Sequence, residues 1–323
     1  MNLAKITGSC KTLASGISVE DQFEMGLRNG KKGASEAGVI MGVNRFKSVV
    51  EMWYEDTGRK ERELLDSEQI FFGNGLEPAL RELFMDYGNK YHGLQISAVF
   101  EQPQLYQSVY YPEMITNLDG LVEDEEGLAI LEIKNTTTQS ESYWREDGEE
   151  GVPDEYYWQA IHQMIVTGLR KVYFFAGMGS RGIIRKVRFS EAMASEYLAR
   201  LKKYFLCVAT DEMPAVGAND VDALNRVYGD HQGEIDMPEN ENLINTYLQI
   251  GKQIKQLESD RDEIEAILRK DLGSNAVVSA GERMFSVKGY SRKDFDKKKF
   301  AADHPELYAK YIKTSVVNKK QVK

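Results

Sequence analysis

Two spacings of hydrophobic residues alternate along the first 210 residues and predict a mixed α/β domain. Apolar positions three and four residues apart predict helices at 19–30, 35–41, 47–57, 67–87, 154–168 and 191–210. Runs of β-branched and aromatic residues bounded by turn residues predict strands at 94–100, 105–110, 114–122, 128–134, 172–176 and 183–189. Glycines and Pro78 interrupt the helix predicted at 67–87, so we expect a break within it.

The pattern changes after residue 210, where a polar stretch precedes one long helical segment. Gly, Pro, Asp and Asn are frequent in residues 211–240, which predicts a linker. Residues 241–272 predict a single helix that Gly273 ends. Its apolar positions form a narrow stripe with heptad spacing: Leu243, Tyr247, Ile250, Ile254, Leu257, Ile264 and Leu268. The stripe is open to two interpretations, packing within the chain or a coiled coil with a partner.

These patterns divide the chain into three parts. We expect an α/β core at residues 1–215, a linker at 216–240 and a C-terminal module at 241–323. The module would contain the long helix, a short hairpin near residues 276–287 and a basic end.

Charge is distributed unevenly over the 323 residues, whose formal net charge is −10. Residues 283–323 hold 12 Lys and Arg against 4 Asp and Glu, a net charge of +8, so residues 1–282 carry −18. The acidic part argues against a non-specific polycation. The basic end is either a solvated tail or a contact surface for nucleic acid or an acidic partner.

The cysteine count and the hydropathy exclude several classes of protein. Cys10 and Cys207 are too few for a disulfide framework, a four-cysteine zinc site or an iron–sulfur cluster. Such a composition fits a reducing cytoplasm. No apolar run reaches the roughly 18 residues that span a bilayer. We therefore expect a cytoplasmic protein without a membrane partner.

The strongest chemical signal is an aspartate followed by a glutamate and a lysine on neighbouring predicted strands. Period-two alternation places Glu132 and Lys134 on one strand face with Leu128 and Ile130. If the strands pair, Asp119 can converge with them. Two carboxylates make a hard-oxygen site suited to Mg²⁺ or Mn²⁺, and an adjacent lysine can hold a water nucleophile or stabilise developing negative charge. The alternative is that Glu132 and Lys134 are surface residues of an amphipathic strand.

These residues resemble the D…ExK core of the PD-(D/E)xK nuclease superfamily, with Leu118 in place of the name-giving proline. More closely, the chain is similar to the phage lambda exonuclease and YqaJ-type viral recombinase family. Three further blocks follow the family's order and spacing within about residues 20–210. They are Arg28-Asn29-Gly30 with Gly33-Ala34-Ser35-Glu36 and Ile40-Met41-Gly42-Val43; Phe72-Gly73-Asn74-Gly75-Leu76-Glu77; and Tyr156 through Gly168. The resemblance implies a nuclease core with a central mixed sheet flanked by helices, followed by a helical and basic extension.

The resemblance also implies a metal and catalytic group. Asp119, Glu132 and the backbone carbonyl of Ile133 would bind Mg²⁺, with Mn²⁺ as a possible substitute. Lys134 would be the catalytic lysine. The remaining two would lie near the metal or position the water: Glu77 and Gln159.

A second implied group would grip the 5′-phosphate of a DNA end. It consists of Arg28, Ser35 and Asn117, in which a guanidinium and a helix N-terminus suit phosphate chemically. Lys31 and Lys32 are close in sequence and compete with Arg28 for this role.

The activity that the resemblance implies is metal-dependent 5′→3′ digestion of one strand of duplex DNA from an end. The product would be a 3′ single-stranded overhang for phage-type homologous recombination by strand annealing. The family further implies a ring-shaped trimer, a single-strand annealing protein as partner and, for a phage-encoded chain, the bacterial host cytoplasm. Two alternatives remain open, an endonuclease of the same superfamily and a non-catalytic scaffold that binds DNA ends.

Overall fold

The computed structural model describes residue 6 and residues 8–62, 67–136, 142–144, 151–229, 233–274, 277–289 and 291–312. The chain forms two compact units, Met1–Val227 and Tyr228–Lys323. Residues 313–323 of the predicted basic end lie outside the described residues.

The first unit contains eight strands and seven helices among the described residues. The strands are β1 Cys10–Ser15, β2 Ala98–Phe100, β3 Gln104–Ser108, β4 Ile115–Thr116, β5 Gly120–Asp124, β6 Gly127–Asn135, β7 Lys171–Met178 and β8 Arg181–Arg188. The helices are α1 Val19–Glu24, α2 Ala37–Ile40, α3 Val49–Asp56, α4 Glu68–His92, α5 Asp154–Thr167, α6 Glu191–Thr210 and α7 Val221–Tyr228.

Serine side chains begin four of these helices. The side-chain oxygens of Ser18, Ser48, Ser67 and Ser190 each accept a hydrogen bond from a backbone N–H in the first turn of α1, α3, α4 and α6. Each cap satisfies one of the N–H groups that a helix start leaves without a partner. At the other end, Gly93 and Gly168 adopt the left-handed conformation that ends α4 and α5.

A five-stranded mixed sheet forms the centre of the first unit. Its strand order is β2-β5-β6-β7-β8, in which only the β6–β7 pair is parallel. Helix α5 lies within the crossover between these two parallel strands. Alternate residues of β6 enter two apolar clusters: Ile130 packs in the cluster that includes α5 and α6, whereas Leu131 and Ile133 pack in the cluster of Phe84 on α4. The predicted central mixed sheet flanked by helices is therefore confirmed.

The remaining strands of the first unit form a smaller antiparallel sheet with the order β1-β3-β4. The strand predicted at 114–122 is wrong as a single element, because β4 pairs with β3 whereas β5 pairs with β2 and β6. The backbone passes from one sheet to the other between them. Residues 117–119 make this passage, which places Asn117 and Asp119 outside regular structure.

Two helix predictions differ from the structure. Helix α4 runs through Pro78 without the expected break. Proline has no N–H to donate to the carbonyl oxygen four residues earlier, which belongs to Asn74. Because Asn74 is exposed, water can hydrogen-bond to that oxygen instead. Helix α1 ends at Glu24 rather than near residue 30, because Gly26 and Gly30 have φ of 69° and 63°, in the left-handed region.

The first compact unit extends beyond the predicted core boundary at residue 215. The first unit continues to Val227, and the predicted linker 216–240 begins with a 3₁₀ turn and α7. Ala223 of this helix is buried, and the Arg226 guanidinium donates to Glu51 at 2.8 Å. A short amphipathic helix within a polar stretch gives a weak sequence signal, and this one packs because α3 offers it a carboxylate.

The second unit contains the predicted long helix and the predicted hairpin. They are α8 Glu241–Leu272 and the antiparallel pair β9 Val277–Ala280 and β10 Arg283–Ser286, followed by α9 Lys297–Asp303 and α10 Pro305–Tyr311. Most of the apolar stripe of α8 is exposed. Packing of the whole stripe within the chain is therefore not observed. None of the helices in the described ranges combines the length and hydropathy of a membrane-spanning segment.

Candidate active site

Asp119 lies where β5 begins, beside the end of β6 that carries the glutamate and the lysine. The register pairs Gly120 with Leu131. Asp119 therefore comes close to the next residues of β6, and its Oδ2 accepts a hydrogen bond from the Ile133 N–H at 2.7 Å. The predicted convergence of the two strands on one spot is what the structure shows.

Glu132 is a buried carboxylate with three donors. It is 3% exposed. Its Oε1 accepts from Lys134 Nζ and from Gln159 Nε2, each at 2.5 Å, and its Oε2 accepts from Gln163 Nε2 at 2.6 Å. A buried charge is stable only when it is paired and hydrogen-bonded, and this one is. Glu132 and Lys134 are thus not the solvated surface residues of the alternative interpretation.

Lys134 is held between acidic and aromatic groups. Its Nζ lies 4.9 Å from the centroid of the Tyr156 ring, which favours a cation. Burial opposes the ammonium charge, but Glu132 and Asp119 outweigh this effect and raise the pKa of Lys134 above its ordinary value. Lys134 is therefore a fixed positive charge beside the two carboxylates.

Helix α4 contributes Glu77 and an arginine that the sequence had not singled out. Arg81 Nε donates to the backbone oxygen of Asp119 at 2.5 Å, and its Nη2 pairs with the Glu77 carboxylate. Burial raises the pKa of Glu77, Arg81 opposes that rise, and the charge of Glu132 adds to it. Glu77 thus lies within electrostatic reach of the Glu132 carboxylate.

The carboxylates of this cluster repel one another. Burial raises the pKa of Asp119 well above its ordinary value, and Glu132 and Glu77 raise it further, against the opposing effect of Lys134. Such mutual repulsion in a buried position is typical of a site built to receive a cation.

The donor set fits a magnesium ion. Within the parts of the chain that the structure describes, no three His, Cys, Asp or Glu side chains are arranged to hold a metal ion by themselves. The available donors are the carboxylates of Asp119 and Glu132 with the backbone carbonyl of Ile133. Magnesium usually binds through one or two carboxylates while keeping several waters and substrate phosphate oxygens. These donors are of the kind and number that Mg²⁺ takes from a protein.

Arg81 and Gln163 are the residues that sequence reasoning missed. Gln163 follows Gln159 by four residues, so both face the sheet from α5 and share the two oxygens of Glu132. Its Oε1 is buried and has no hydrogen-bond partner. The QxxxQ spacing was a usable signal for Gln163. Arg81 follows Glu77 by four residues, but only the unbroken course of α4 brings it to Asp119.

A second polar group brings Arg28 and Asn117 together. Arg28 Nη2 donates to Asn117 Oδ1 at 2.7 Å, and its Nε donates to Gln22 Oε1 at 3.0 Å. Gly33 lies close beside the guanidinium, and a Cβ there would lie 2.8 Å from Arg28 Nη1 and displace it. Ser35 is exposed on the adjoining 3₁₀ turn of residues 34–36.

The two competing lysines differ from Arg28 in their surroundings. Lys32 is 2% exposed, and its Nζ lies 2.5 Å from Asp56 Oδ2 and 3.4 Å from Glu36 Oε1. It is committed to a buried ion-pair cluster. Lys31 Nζ makes a 3.4 Å contact with its neighbouring backbone, at Asn29 O. Arg28 is the one of the three that pairs with Asn117.

The sheet and its covering helices define the fold class, an α/β domain with a central mixed sheet, and the Asp119–Glu132–Lys134 cluster lies at one end of that sheet. The model of the YqaJ-like viral recombinase domain matches residues 25–170 of the chain. This confirms the resemblance seen in the sequence. A curated relative, the uncharacterized protein YqaJ of Bacillus subtilis strain 168, is 26% identical over 291 residues, which is 87% of each chain.

Solved structures that resemble the chain include three of bacterial origin. The alkaline exonuclease LHK-Exo of Laribacter hongkongensis has 18% identity and a TM-score of 0.46 over 64% of this chain and 97% of its own. The same enzyme in complex with dAMP has 17% identity and a TM-score of 0.47 over the same shares. A phage-related exonuclease of Haemophilus somnus 129PT has 13% identity and a TM-score of 0.38 over 56% of this chain and 96% of its own.

Proposed function

We propose that the protein is a metal-dependent exonuclease that digests one strand of duplex DNA from a 5′ end and leaves a 3′ single-stranded overhang. The observation that carries this proposal is the buried Glu132. Its Oε1 accepts from Lys134, and its Oε1 and Oε2 each accept from a glutamine of α5. The match of residues 25–170 to a viral recombinase domain model supports a role in phage-type homologous recombination by strand annealing.

The position of Arg28 supports end recognition rather than internal cleavage. Asn117, its partner, precedes Asp119 by two residues, so their Cα atoms are at most about 7 Å apart. A guanidinium that can receive a terminal phosphate thus lies next to carboxylates that can hold the metal at the scissile bond. An enzyme that cuts within a strand meets no terminal phosphate and so needs no such guanidinium beside its metal site.

The protein groups divide the chemical work between them. Asp119, Glu132 and the Ile133 carbonyl would hold Mg²⁺, or Mn²⁺ in its place, which supplies charge stabilisation at the attacking and leaving oxygens. Lys134 offers N–H donors and positive charge where negative charge develops on the phosphate. Gln159 keeps Glu132 and Lys134 in place through the shared Oε1. Arg81 fixes the backbone of Asp119 from α4.

The test compares three duplexes of equal sequence in Mg²⁺: linear with one 5′-phosphate, linear without phosphate, and closed circular. The proposal expects strand-selective loss of nucleotides from the phosphorylated end and an intact circle. Cutting of the circle would indicate an endonuclease of the same superfamily. Binding of linear DNA without any cleavage would indicate the scaffold. Repeating the reaction with EDTA, and then with Mn²⁺, tests the metal requirement.

The family also suggests an assembly and a partner. A ring-shaped trimer would keep the enzyme on its DNA, and a single-strand annealing protein would receive the 3′ overhang in the host cytoplasm. The mass of the pure full-length protein, measured by light scattering, tests the ring. A monomeric or dimeric mass would contradict a trimer.

A further inference from the structure

Helix α8 presents apolar side chains to solvent along almost its whole length. Its 32 residues make a rod of about 48 Å. The exposed apolar residues include Leu243, Ile244, Ile250, Ile254, Leu257, Ile264 and Ile267, each between 47% and 68% exposed. Contiguous apolar surface of this extent on one helix face marks an interaction site. Leu272, in the last turn, is buried, so the exposed stripe ends where the hairpin of the second unit begins.

We propose that α8 pairs with α8 of a second copy of this chain as an antiparallel coiled coil. The stripe follows heptad spacing, with Ile254 at an a position, Leu257 at a d position and Arg261 at the next a position. Ile250 and Ile264 fill the neighbouring d positions. Four heptads with apolar residues at most a and d positions are enough for two-stranded pairing. This proposal does not depend on the nuclease activity.

Charges on the helix exclude a parallel pair in register. Parallel pairing places each a residue against itself, so Arg261 would face Arg261 of the second copy. It also places each g residue against the next e residue, so Asp260 would face Glu265 twice. Arg261 and Asp260 are both exposed, and their contacts on the helix, with Asp262 and Gln256, leave the two side chains on the surface that a second copy would meet.

One antiparallel register removes these conflicts. It aligns Ile254 with Leu257 and Leu243 with Leu268 of the second copy, which places the centre of symmetry between Lys255 and Gln256. In this register Arg261 lies against an apolar residue, Ile250. It is also the register that covers the stripe from end to end.

The flanking positions agree with this register. Gln253 comes opposite Asp260, and Gly251 comes opposite Glu258, so no acidic residue faces another. Residues 241–257 carry a net charge of +1 and residues 258–272 a net charge of −3. Antiparallel pairing sets the first segment of one copy beside the second segment of the other. This complementarity identifies the occupant of the stripe as a second copy of the chain.

The first test measures the mass of the full-length protein in solution. Ile254→Asp places a charge at the centre of the stripe and is expected to lower the mass to half, because α8 is the contact that joins two copies, or two oligomers of the first unit. Ser259→Asp puts the same charge on the outward face of the same helix and should leave the mass unchanged. Equal masses for wild type and Ile254→Asp overturn the proposal. Equal masses are also what is expected if the stripe binds some other protein instead of a second copy.

The second test measures whether the two helices pair antiparallel or parallel. It uses variants that are not designed to disrupt the pairing. In a background of Cys10→Ser and Cys207→Ser, one preparation carries Leu243→Cys and another carries Leu268→Cys. The proposal expects a disulfide-linked dimer when the two are mixed, because residues 243 and 268 meet. It expects none from either alone, because two copies of residue 243 lie about 37 Å apart. Cross-linking of each preparation with itself would indicate parallel pairing and contradict the proposal.

Discussion

The two units of the protein differ from the usual pattern of buried apolar and exposed charged residues in opposite ways. The first unit buries charge: Glu132, Lys32 and Lys171 are each less than 5% exposed, and each has ion-pair or hydrogen-bond partners. The second unit exposes apolar residues along α8. Both arrangements cost free energy in the isolated chain, so each indicates something that the chain alone does not contain. For the Glu132 site of the first unit we propose a metal ion with DNA, and for the stripe of the second unit another copy of the chain.

The largest expected effect is the loss of the central buried carboxylate. Glu132→Ala leaves Lys134, Gln159 and Gln163 without their acceptor. Removing one partner of a buried pair should lower the free energy of unfolding by roughly 3–5 kcal/mol. Urea unfolding measures this.

The matched control for that variant lies in the exposed acidic turn before β6. Glu125→Ala removes a carboxylate that is exposed, and it should change the free energy of unfolding by less than about 0.5 kcal/mol. Similar losses for both variants would mean that the Glu132 network is not what stabilises this region.

Acid should affect the first unit through Glu36. Burial alone would raise the pKa of this carboxyl, but Lys32, Arg62 and the Gly33 N–H lower it from 4.5 to about 2. The ionised group therefore stabilises the fold fully above pH 4.5, and this stabilisation is lost as the pH falls from about 4.5 to about 2. The amount is at most roughly 3 kcal/mol.

The measurement for this prediction is urea unfolding at several pH values for wild type and Glu36→Gln. The variant should be less stable at pH 7 and should show a smaller decrease between pH 4.5 and pH 2.5. An identical pH dependence in the two proteins would contradict the assignment to Glu36.

A smaller effect is expected at the phosphate pocket. Arg28→Ala removes the guanidinium that contacts Asn117. A hydrogen bond to a charged group contributes about 1.5–3 kcal/mol, so the preference for 5′-phosphorylated over unphosphorylated ends should fall roughly 10- to 100-fold. Relative initial rates on the two substrates measure this preference. If Lys31→Ala removed the preference and Arg28→Ala did not, the pocket would belong to Lys31.

The smallest effect concerns the second unit. Ile254→Asp should change the unfolding of the first unit by less than about 0.5 kcal/mol, because the side chain is already 51% exposed. Ile130→Asp, at a fully buried position of β6, should prevent folding. Tryptophan fluorescence separates the units, because Trp53, Trp144 and Trp158 all lie in the first. A large loss from Ile254→Asp would show that α8 supports the first unit.

Period-two alternation was enough to predict the central site. It places Glu132 and Lys134 on one face of β6, and the short acidic turn from β5 to β6 brings Asp119 beside them. These contacts depend on residue spacing within two neighbouring strands, so they can be predicted from the sequence. The pairing of Arg28 with Asn117 came from the family resemblance alone, since 89 residues separate the two.

The misses have a common physical cause. Arg81 reaches Asp119 only because α4 passes Pro78 unbroken, which depends on solvent around Asn74. Helix α7 packs on the first unit through a contact between Arg226 and Glu51, 175 residues apart in sequence. Local propensity describes neither solvent exposure nor such distant contacts. The predicted break in α4 was wrong for this reason, and the packing of α7 beyond residue 215 escaped prediction for the same one.

The most direct test of the central claim is single-turnover digestion by Lys134→Ala. Wild type, Lys134→Ala and Lys203→Ala, an exposed lysine on α6, are mixed in excess with a linear duplex that has one 5′-phosphate, in Mg²⁺. The account predicts loss of cleavage by at least about 10²-fold for Lys134→Ala, with DNA affinity retained and Lys203→Ala unchanged. Digestion by Lys134→Ala at the wild-type rate would contradict the assignment of this cluster as the active site.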